Sequence, residues 1–353
     1  MKLSGPESYM GMLKLLQLFL LLITVTLTWF LLKKSGVVLA ITVPVILYLA
    51  ISPAVTNSFL SVYSEIATYI FILAIVALSA RAWLELHKTN APASFWPGLG
   101  LAGVFIMAAL VKSIYEMMFY LCLIPFLIIT FKAWKERKYQ LFKNALIFLL
   151  TLVVSFQAGI IGYKYLNKKY NGLFVLTDRA AWAFYGTAAR REVVLTPESF
   201  GAAVTYKLFE EQGCKLFYNP EACRAWDITT ADKFSAEKNY EVMARFPPQE
   251  QNKELLKSAF VKIMENPWQY AALMSLDWLR LFFWESTHIG FVAYPDWLDA
   301  IFDHAVFANG LRLVVGLISL ASFIFCLIFL ARNYKQYDQP LNTLIFFSVY
   351  VIF

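Results

Sequence analysis

Two ionisable residues beside long apolar runs are the first candidates for chemistry. Glu65 opens the run 66–80, and Lys112 closes the run 98–111, three residues before Tyr115. An ionisable group at such a place costs free energy unless it is paired or lines a wet cavity. A lysine in a low dielectric can neutralise a phosphate, and a carboxylate can accept hydrogen bonds. A salt bridge, or snorkelling of both side chains to lipid headgroups, explains the same two residues as well.

A second candidate is the segment 177–186, which combines charge, aromatic faces and a glycine. Asp178, Trp182 and Tyr185 are its chemically useful side chains. Sugars are often held by hydrogen bonds to their hydroxyls together with an aromatic face. The alternative is a loop whose Trp182 and Tyr185 anchor in a membrane interface, and residues alone favour that interpretation.

Several signatures of soluble enzymes are absent from the sequence. It contains no Gly-rich phosphate loop, no Ser/His/Asp pattern and no Cys/His spacing typical of a metal site. We therefore expect no metal and no cofactor. Without nucleotide-binding machinery, any transfer chemistry needs a donor presented from the membrane, and a lipid-phosphate-linked sugar meets that requirement.

The elements that must position these residues are apolar helices. The chain is 59% hydrophobic and 16% charged, with a mean hydropathy of +0.58, which is too apolar for a typical soluble domain. Its apolar residues fall in long blocks at 12–32, 37–51, 66–80, 98–111, 117–131, 145–161, 311–330 and 341–353. The last run has only 13 residues, whereas a spanning helix needs about 20.

Basic residues between these runs predict the orientation. The clusters are Lys33/Lys34, Arg81/Lys88, the stretch 132–143 and Arg332/Lys335. Such clusters are typical of cytoplasmic loops. Two apolar runs separate the first cluster from the second, and two more separate the second from the third, so the first three clusters are expected on the same side of the membrane. The net charge of +7 is thus interpreted as loop charge, not as affinity for nucleic acid. We expect an integral protein of the inner cell membrane.

The predicted fold is mainly α: a polytopic transmembrane helix bundle with an extracytoplasmic α-rich domain. The expected divisions are transmembrane helices at 1–163, the extracytoplasmic domain at 164–269, an interfacial helix and outer loop at 270–306, and C-terminal transmembrane helices at 307–353.

Three finer expectations concern the outer part. Residues 199–212 and 252–266 are predicted to be helical, the second with one apolar face. The apolar segment 268–284 carries Asp277 and Arg280, so we expect it to lie in the outer interface.

The cysteines divide into two pairs. Cys122 and Cys326 lie within apolar runs and are expected to be inert. Cys214 and Cys223 fall in the predicted extracytoplasmic domain, where the compartment is oxidising, and Asn219-Pro220 offers a turn between them. We therefore predict a disulfide.

Both ends of the chain look cut. Residues 1–11 do not resemble the start of a signal peptide, and the last apolar run is of half length. The sequence is therefore interpreted as a fragment of a longer protein.

Four local features resemble one enzyme class. They are Ser52-Pro53 with Tyr63-Ser64-Glu65, the Gly-rich run from Gly98 to Lys112, the stretch from Asn171 through Trp182 to Gly186, and Ile263-Met-Glu-Asn-Pro267. Residues 277–284 are similar to an Arg/Phe/Trp-rich continuation. In this order they resemble the GT-C class of polyprenyl-phosphate-sugar glycosyltransferases, the superfamily of protein O-mannosyltransferases and the lipid A aminoarabinose transferase.

The resemblance implies transfer of a sugar from a polyprenyl-phosphate carrier to an unknown glycan, lipid or protein acceptor at the outer membrane face. It implies a phosphate contact at Lys112 and a cavity lined by Glu65, Tyr115, Asp178, Trp182 and Tyr185. It also implies a catalytic Asp before residue 1. Ala183 replaces an Asn usual in the family, which is a departure from its pattern.

Other classes stay open. A transporter or a lipid-binding membrane protein would also contain charged pairs and broken helices. An O-antigen ligase or polymerase would also use polyprenyl donors.

Overall fold

The computed structural model describes residues 6–34, 36–51, 65–86, 95–177, 179–189, 196–224, 228–280, 297, 305–332 and 340–352. Within these ranges every regular element is an α-helix, which confirms the mainly-α prediction for them. In chain order the helices are α1 Pro6–Lys34, α2 Leu39–Ile51, α3 Glu65–Leu86, α4 Phe95–Val111, α5 Ile114–Lys135, α6 Tyr139–Asn171, α7 Arg179–Ala189, α8 Pro197–Cys214, α9 Pro220–Arg224, α10 Ile228–Arg245, α11 Pro248–Glu265, α12 Pro267–Arg280, α13 Ala305–Arg332 and α14 Pro340–Ile352.

Four helices are long and apolar enough to cross a membrane, judged by length and composition among the described residues. The segments are Leu15–Lys34 in α1, Thr68–Leu86 in α3, Ile114–Lys135 (α5) and Tyr139–Asn171 (α6). Phe95–Val111 (α4) and Gly316–Arg332 are apolar but shorter. Helix α2, from the run 37–51, has 13 residues and so measures only about 20 Å.

The chain divides into two compact units. The first holds α1 to α6, α14 and residues 323–332, and the second holds α7 to α12 and residues 305–322. The division falls after Leu176, whereas the sequence suggested a boundary after 163. The reason is that α6 continues ten residues past its apolar run. It ends at Asn171, where Gly172 takes the left-handed conformation at φ 77°.

Aromatic rings build the core of the first unit. Phe119 stacks on Phe156 with ring centroids 3.7 Å apart, and Phe105 meets both rings edge-on. Phe126 stacks on Phe347 of α14. Helices α3, α4, α5 and α6 all contribute to this core, so they form one bundle.

Close approach of α4 to α6 depends on a glycine. A Cβ on Gly98 would lie 2.9 Å from the carbonyl oxygen of Phe148, which is backbone and cannot move aside cheaply. Helix α4 then turns into α5 through only Lys112 and Ser113, so the expected hairpin at 98–131 is present.

The second unit has two small cores. One joins α7 to α11 through Ala181, Tyr185, Ala188, Leu255 and Ala259. The other joins α8, α9 and α12, and its members are Ala202, Ala203, Cys214, Cys223, Leu273 and Leu276. Cys214 and Cys223 form a disulfide with Cα atoms 5.9 Å apart.

One local expectation for this unit needs correction, and one can be made more specific. The segment 177–186 is not a loop, because residues 179–189 form α7, an alanine-rich helix that packs on α10 and α11. Of the apolar face predicted for 252–266, Leu255 and Ala259 are buried, but Leu256 and Phe260 are exposed. Successive helix positions point about 100° apart, and the helices that pack on α11 cover only part of that face.

Candidate functional site

The polar residues at the α4–α5 turn form the best-defined cluster in the first unit. We call Lys112, Tyr115, Glu116 and Lys164 the corner cluster. Lys112 is half-buried in the two-residue link, where its N–H donates to the carbonyl of Ala108 at 2.8 Å. Its own carbonyl accepts from the N–H of Tyr115 at 3.1 Å, so the backbone fixes Lys112 between two helix ends.

Tyr115 ties α5 to α3. Its side chain is only 1% exposed, and its hydroxyl donates to the carbonyl oxygen of Thr68 at 3.5 Å. Thr68 lies one turn beyond Glu65, the first residue of α3. The first turns of α3 and α5 are therefore neighbours. The side chain of Glu65 lies outside the described residues.

Glu116 has a partner that sequence reasoning missed. Lys164 Nζ of α6 lies 2.5 Å from Glu116 Oε1, and both side chains are about three-quarters covered. The usable signal was position: Lys164 sits three residues past the run 145–161, between Tyr163 and Tyr165, and aromatic residues of that kind mark membrane interfaces.

A second polar pair continues the line between α5 and α6. Gln157 Nε2 donates to the hydroxyl oxygen of Tyr120 at 2.7 Å. Tyr120 is four residues after Glu116, and Gln157 is seven before Lys164, so this pair lies one to two turns along the bundle from the corner cluster. We call the two pairs the α5–α6 polar ladder. Polar side chains within spanning helices are costly, and they often mark functional sites.

The corner cluster has the composition of an anion site. Lys112, Lys164 and Glu116 together carry two positive charges and one negative. A phosphate at this helix end would meet a lysine whose backbone is fixed by hydrogen bonds, close in sequence to a buried tyrosine.

The remaining predicted site residues belong to the second unit. Trp182 is 41% exposed on α7, whereas Tyr185 is 3% exposed and packs within the α7–α11 core. Lys262 Nζ lies 5.9 Å from the centre of the Tyr185 ring. Trp182 is thus the accessible aromatic face of the two. Asp178 lies outside the described residues, and a cavity shared by Trp182 with Lys112 stays a prediction.

Burial shapes the electrostatics around Tyr185. It raises the pKa of the Tyr185 hydroxyl, the charge of Glu241 raises it further, and Arg245 opposes both. Burial also lowers the pKa of Lys262, against the attraction of Glu265. Both shifts favour the neutral forms, which suits a core position better than an acid–base role.

Among the described residues, no group of three or more His, Cys, Asp or Glu side chains could hold a metal ion. Comparison of the chain with protein-family models, with curated proteins and with solved structures gave no match.

Proposed function

We propose that this chain transfers a sugar from a polyprenyl-phosphate carrier to an acceptor at the outer face of the membrane. The observation that carries the proposal is Lys112, held by backbone hydrogen bonds at a helix end beside Tyr115 and the Glu116–Lys164 pair. The four apolar helices supply the membrane setting in which a lipid-linked donor would be found.

The chemistry is a displacement at the anomeric carbon. The acceptor hydroxyl oxygen forms a bond to that carbon while the bond from carbon to phosphate oxygen breaks. The electron pair leaves on the polyprenyl phosphate, and a carboxylate takes the hydroxyl proton. In this scheme Lys112 stabilises the negative charge that develops on the leaving phosphate. We assign no base among the described residues.

The second unit would lie on the outer side under this proposal. The Cys214–Cys223 disulfide supports that placement, since disulfides persist in oxidising compartments. Trp182 is exposed on α7, and its ring offers an aromatic surface for a sugar. Sugar identity and acceptor are left open.

A transporter of a lipid-linked or anionic solute is the second candidate, and the α5–α6 polar ladder favours it. Glu116–Lys164 and Tyr120–Gln157 line one helix interface in series, as polar groups do along a substrate path. A transporter moves its substrate intact, whereas a transferase separates the sugar from the lipid phosphate. Proteoliposomes given a donor with a labelled sugar distinguish the two, because only transfer frees unlabelled polyprenyl phosphate.

Lys112 provides the direct test. We expect Lys112→Ala to lower photocrosslinking of a photoactivatable polyprenyl phosphate by about ten- to a hundredfold, because a charge-assisted contact is lost. Lys112→Arg should keep most of it. The matched control is Lys257→Ala on the exposed face of α11. Unchanged crosslinking in a folded Lys112→Ala protein would contradict the assigned phosphate contact.

Orientation has its own test. We expect an impermeant thiol reagent to label intact cells at Glu237→Cys but not at Lys138→Cys, in a background without Cys122 and Cys326. Both chosen positions are exposed within their units. Labelling only at position 138 would reverse the proposed topology.

A further inference from the structure

The turn between α5 and α6 concentrates positive charge. Residues 132–143, here called the basic turn, contain four lysines, one arginine and a single acid, Glu136. The cations are Lys132, Lys135, Arg137, Lys138 and Lys143. All five side chains are exposed. Nothing in the proposed transfer reaction uses this end of the two helices.

The backbone of the basic turn is a Schellman motif. The N–H of Lys138 donates to the carbonyl of Ala133 at 2.9 Å, and the N–H of Arg137 donates to the carbonyl of Trp134 at 3.1 Å. These bonds close the last turn of α5 and reverse the chain into α6 within three residues. The motif requires a left-handed residue, and that residue is Arg137, at φ 57°.

An arginine is an unexpected choice for this conformation. Glycine is the usual occupant, because a Cβ is strained at positive φ. Helix α6 follows that rule at its own end, where Gly172 has φ 77°. The fold of the turn therefore does not need Arg137, and a strained residue that the fold does not need points to a use for its side chain.

Ion pairs within the basic turn compensate only part of its positive charge. Glu136 lies 2.8 Å from Lys138 Nζ and 3.9 Å from Lys132 Nζ. The hydrogen bond from Lys138 lowers the pKa of Glu136, so this acid is ionised at neutral pH. Within the described residues no carboxylate lies within ion-pair distance of Lys135, Arg137 or Lys143. The first turn of α6 also contains no acidic residue.

The position of the basic turn indicates which anion it can bind. Both α5 and α6 are long and apolar enough to span a bilayer, so the turn that joins them lies at the lipid surface. Phe131, Trp134 and Tyr139 are exposed around it, as aromatic side chains are in the headgroup layer. The nearest anions at such a surface are the phosphodiesters of acidic phospholipids.

We propose that the basic turn binds the headgroups of anionic phospholipids. The planar guanidinium of Arg137 donates two parallel hydrogen bonds to one phosphodiester, and the ammonium groups of Lys135 and Lys143 add charge around it. This site is independent of the proposed sugar transfer. It makes the stability of the α5–α6 hairpin depend on lipid composition.

The test uses the purified full chain in nanodiscs of phosphatidylcholine alone or with about a quarter phosphatidylglycerol. The wild type should unfold at a higher temperature when phosphatidylglycerol is present. Arg137→Gly should lower the affinity for phosphatidylglycerol by about fivefold, which is the contribution of one cation near a charged surface. The triple variant Lys135→Gln/Arg137→Gly/Lys143→Gln should lower it by on the order of a hundredfold.

Arg137→Gly separates binding from folding. Because glycine accepts the left-handed conformation, the unfolding temperature of this variant in phosphatidylcholine alone should equal or slightly exceed that of the wild type. Arg137→Lys keeps the charge but loses the two parallel hydrogen bonds, so it should retain only part of the lipid response. Lys257→Gln, with the same charge change as Arg137→Gly but on α11, should retain all of it. The proposal fails if the triple variant responds to phosphatidylglycerol like the wild type. It also fails if inorganic phosphate alone gives the same shift.

Discussion

The two units are stabilised by different interactions. In the first unit, large aromatic rings from α4, α5, α6 and α14 pack in one core, where Phe119 stacks on Phe156 and Phe126 on Phe347. In the second, each core has only a few buried residues, most of them alanine or cysteine, and a disulfide ties α8 to α9. Ring packing can hold helices together in lipid, where burial of apolar surface gives little drive. A small core buries little apolar surface and therefore gains most from a covalent cross-link.

The two units also differ in the hydrogen bonds that their polar side chains make. In the first unit some of them pair across helices, as Glu116 does with Lys164 and Gln157 with Tyr120, while others, such as the hydroxyls of Thr24 and Thr130, bond within their own helix. In the second they mostly cap helices or bond within one, as Thr196 does at the start of α8. The pairs across helices show where function is best sought, because polar side chains on helices that are apolar enough to span a membrane are costly to keep.

The largest expected effect is in the aromatic core. Phe156→Ala should destabilise the chain by about 3–5 kcal/mol, since it removes a fully buried ring and leaves a cavity against Phe119 and Phe105. Thermal unfolding in detergent would measure the loss. Phe131→Ala, at a residue 62% exposed, is the matched control and should cost less than about 1 kcal/mol. Equal losses would mean that ring packing does not hold the first unit together.

The second largest expected effect is the loss of the disulfide. Cys214→Ser or Cys223→Ser should cost about 2.6 kcal/mol, the loop-closure value for a separation of nine residues. Limited proteolysis should then cut within 196–224 at lower protease concentrations. Cys326→Ser, at a cysteine outside any disulfide, should leave the cleavage pattern unchanged. A serine variant as resistant as the wild type would show that the two small cores suffice.

A smaller effect is expected where α4 approaches α6. Gly98→Val should cost about 1–3 kcal/mol, because its Cβ would meet the Phe148 carbonyl and Thr151. Gly100→Val introduces the same side chain two residues on, where no atom lies within 4 Å of the added Cβ, and is expected to be mild. The unfolding temperatures of the two variants can be compared directly. Similar values would argue against a tight α4–α6 contact.

The smallest effect concerns a helix cap in the second unit. Thr196 Oγ1 accepts from the N–H of Ser199, and Ser199 Oγ accepts from the N–H of Thr196. Thr196→Ala should therefore cost about 1 kcal/mol and raise hydrogen exchange at the start of α8. Thr205→Ala removes a hydroxyl that donates to the carbonyl of Gly201 within the same helix, so little change is expected there. If both variants exchange alike, the cap does not stabilise α8.

Periodicity and hydropathy predicted much of the first unit. The apolar runs at 66–80, 98–111, 117–131 and 145–161 all lie within helices, because an apolar run of this length forms a helix whatever its neighbours are. The α4–α5 hairpin followed from the lack of any loop between two such runs. The end of α6 was harder, since its last ten residues are polar and only Gly172 marks the stop.

Partners across helices could not be read from the sequence. Lys164 and Glu116 are 48 residues apart, and Gln157 and Tyr120 are 37 apart, so only the packing of α5 on α6 brings each pair together. The burial of Tyr185 and the exposure of Trp182 follow from how α7 lies on α11. Two aromatic residues three apart in a sequence give no sign of which one a neighbour will cover.

The sequence by itself thus determined the apolar helices, the charge between them and the residue types available for chemistry, because these depend on local composition. Tertiary structure decided which polar groups meet, which apolar face is covered and which residue takes the left-handed position after α5. Each of those depends on contacts between distant segments or on the backbone of a single turn. Arg137 shows the difference most clearly, since its charge is plain in the sequence while its strained conformation appears only in the fold.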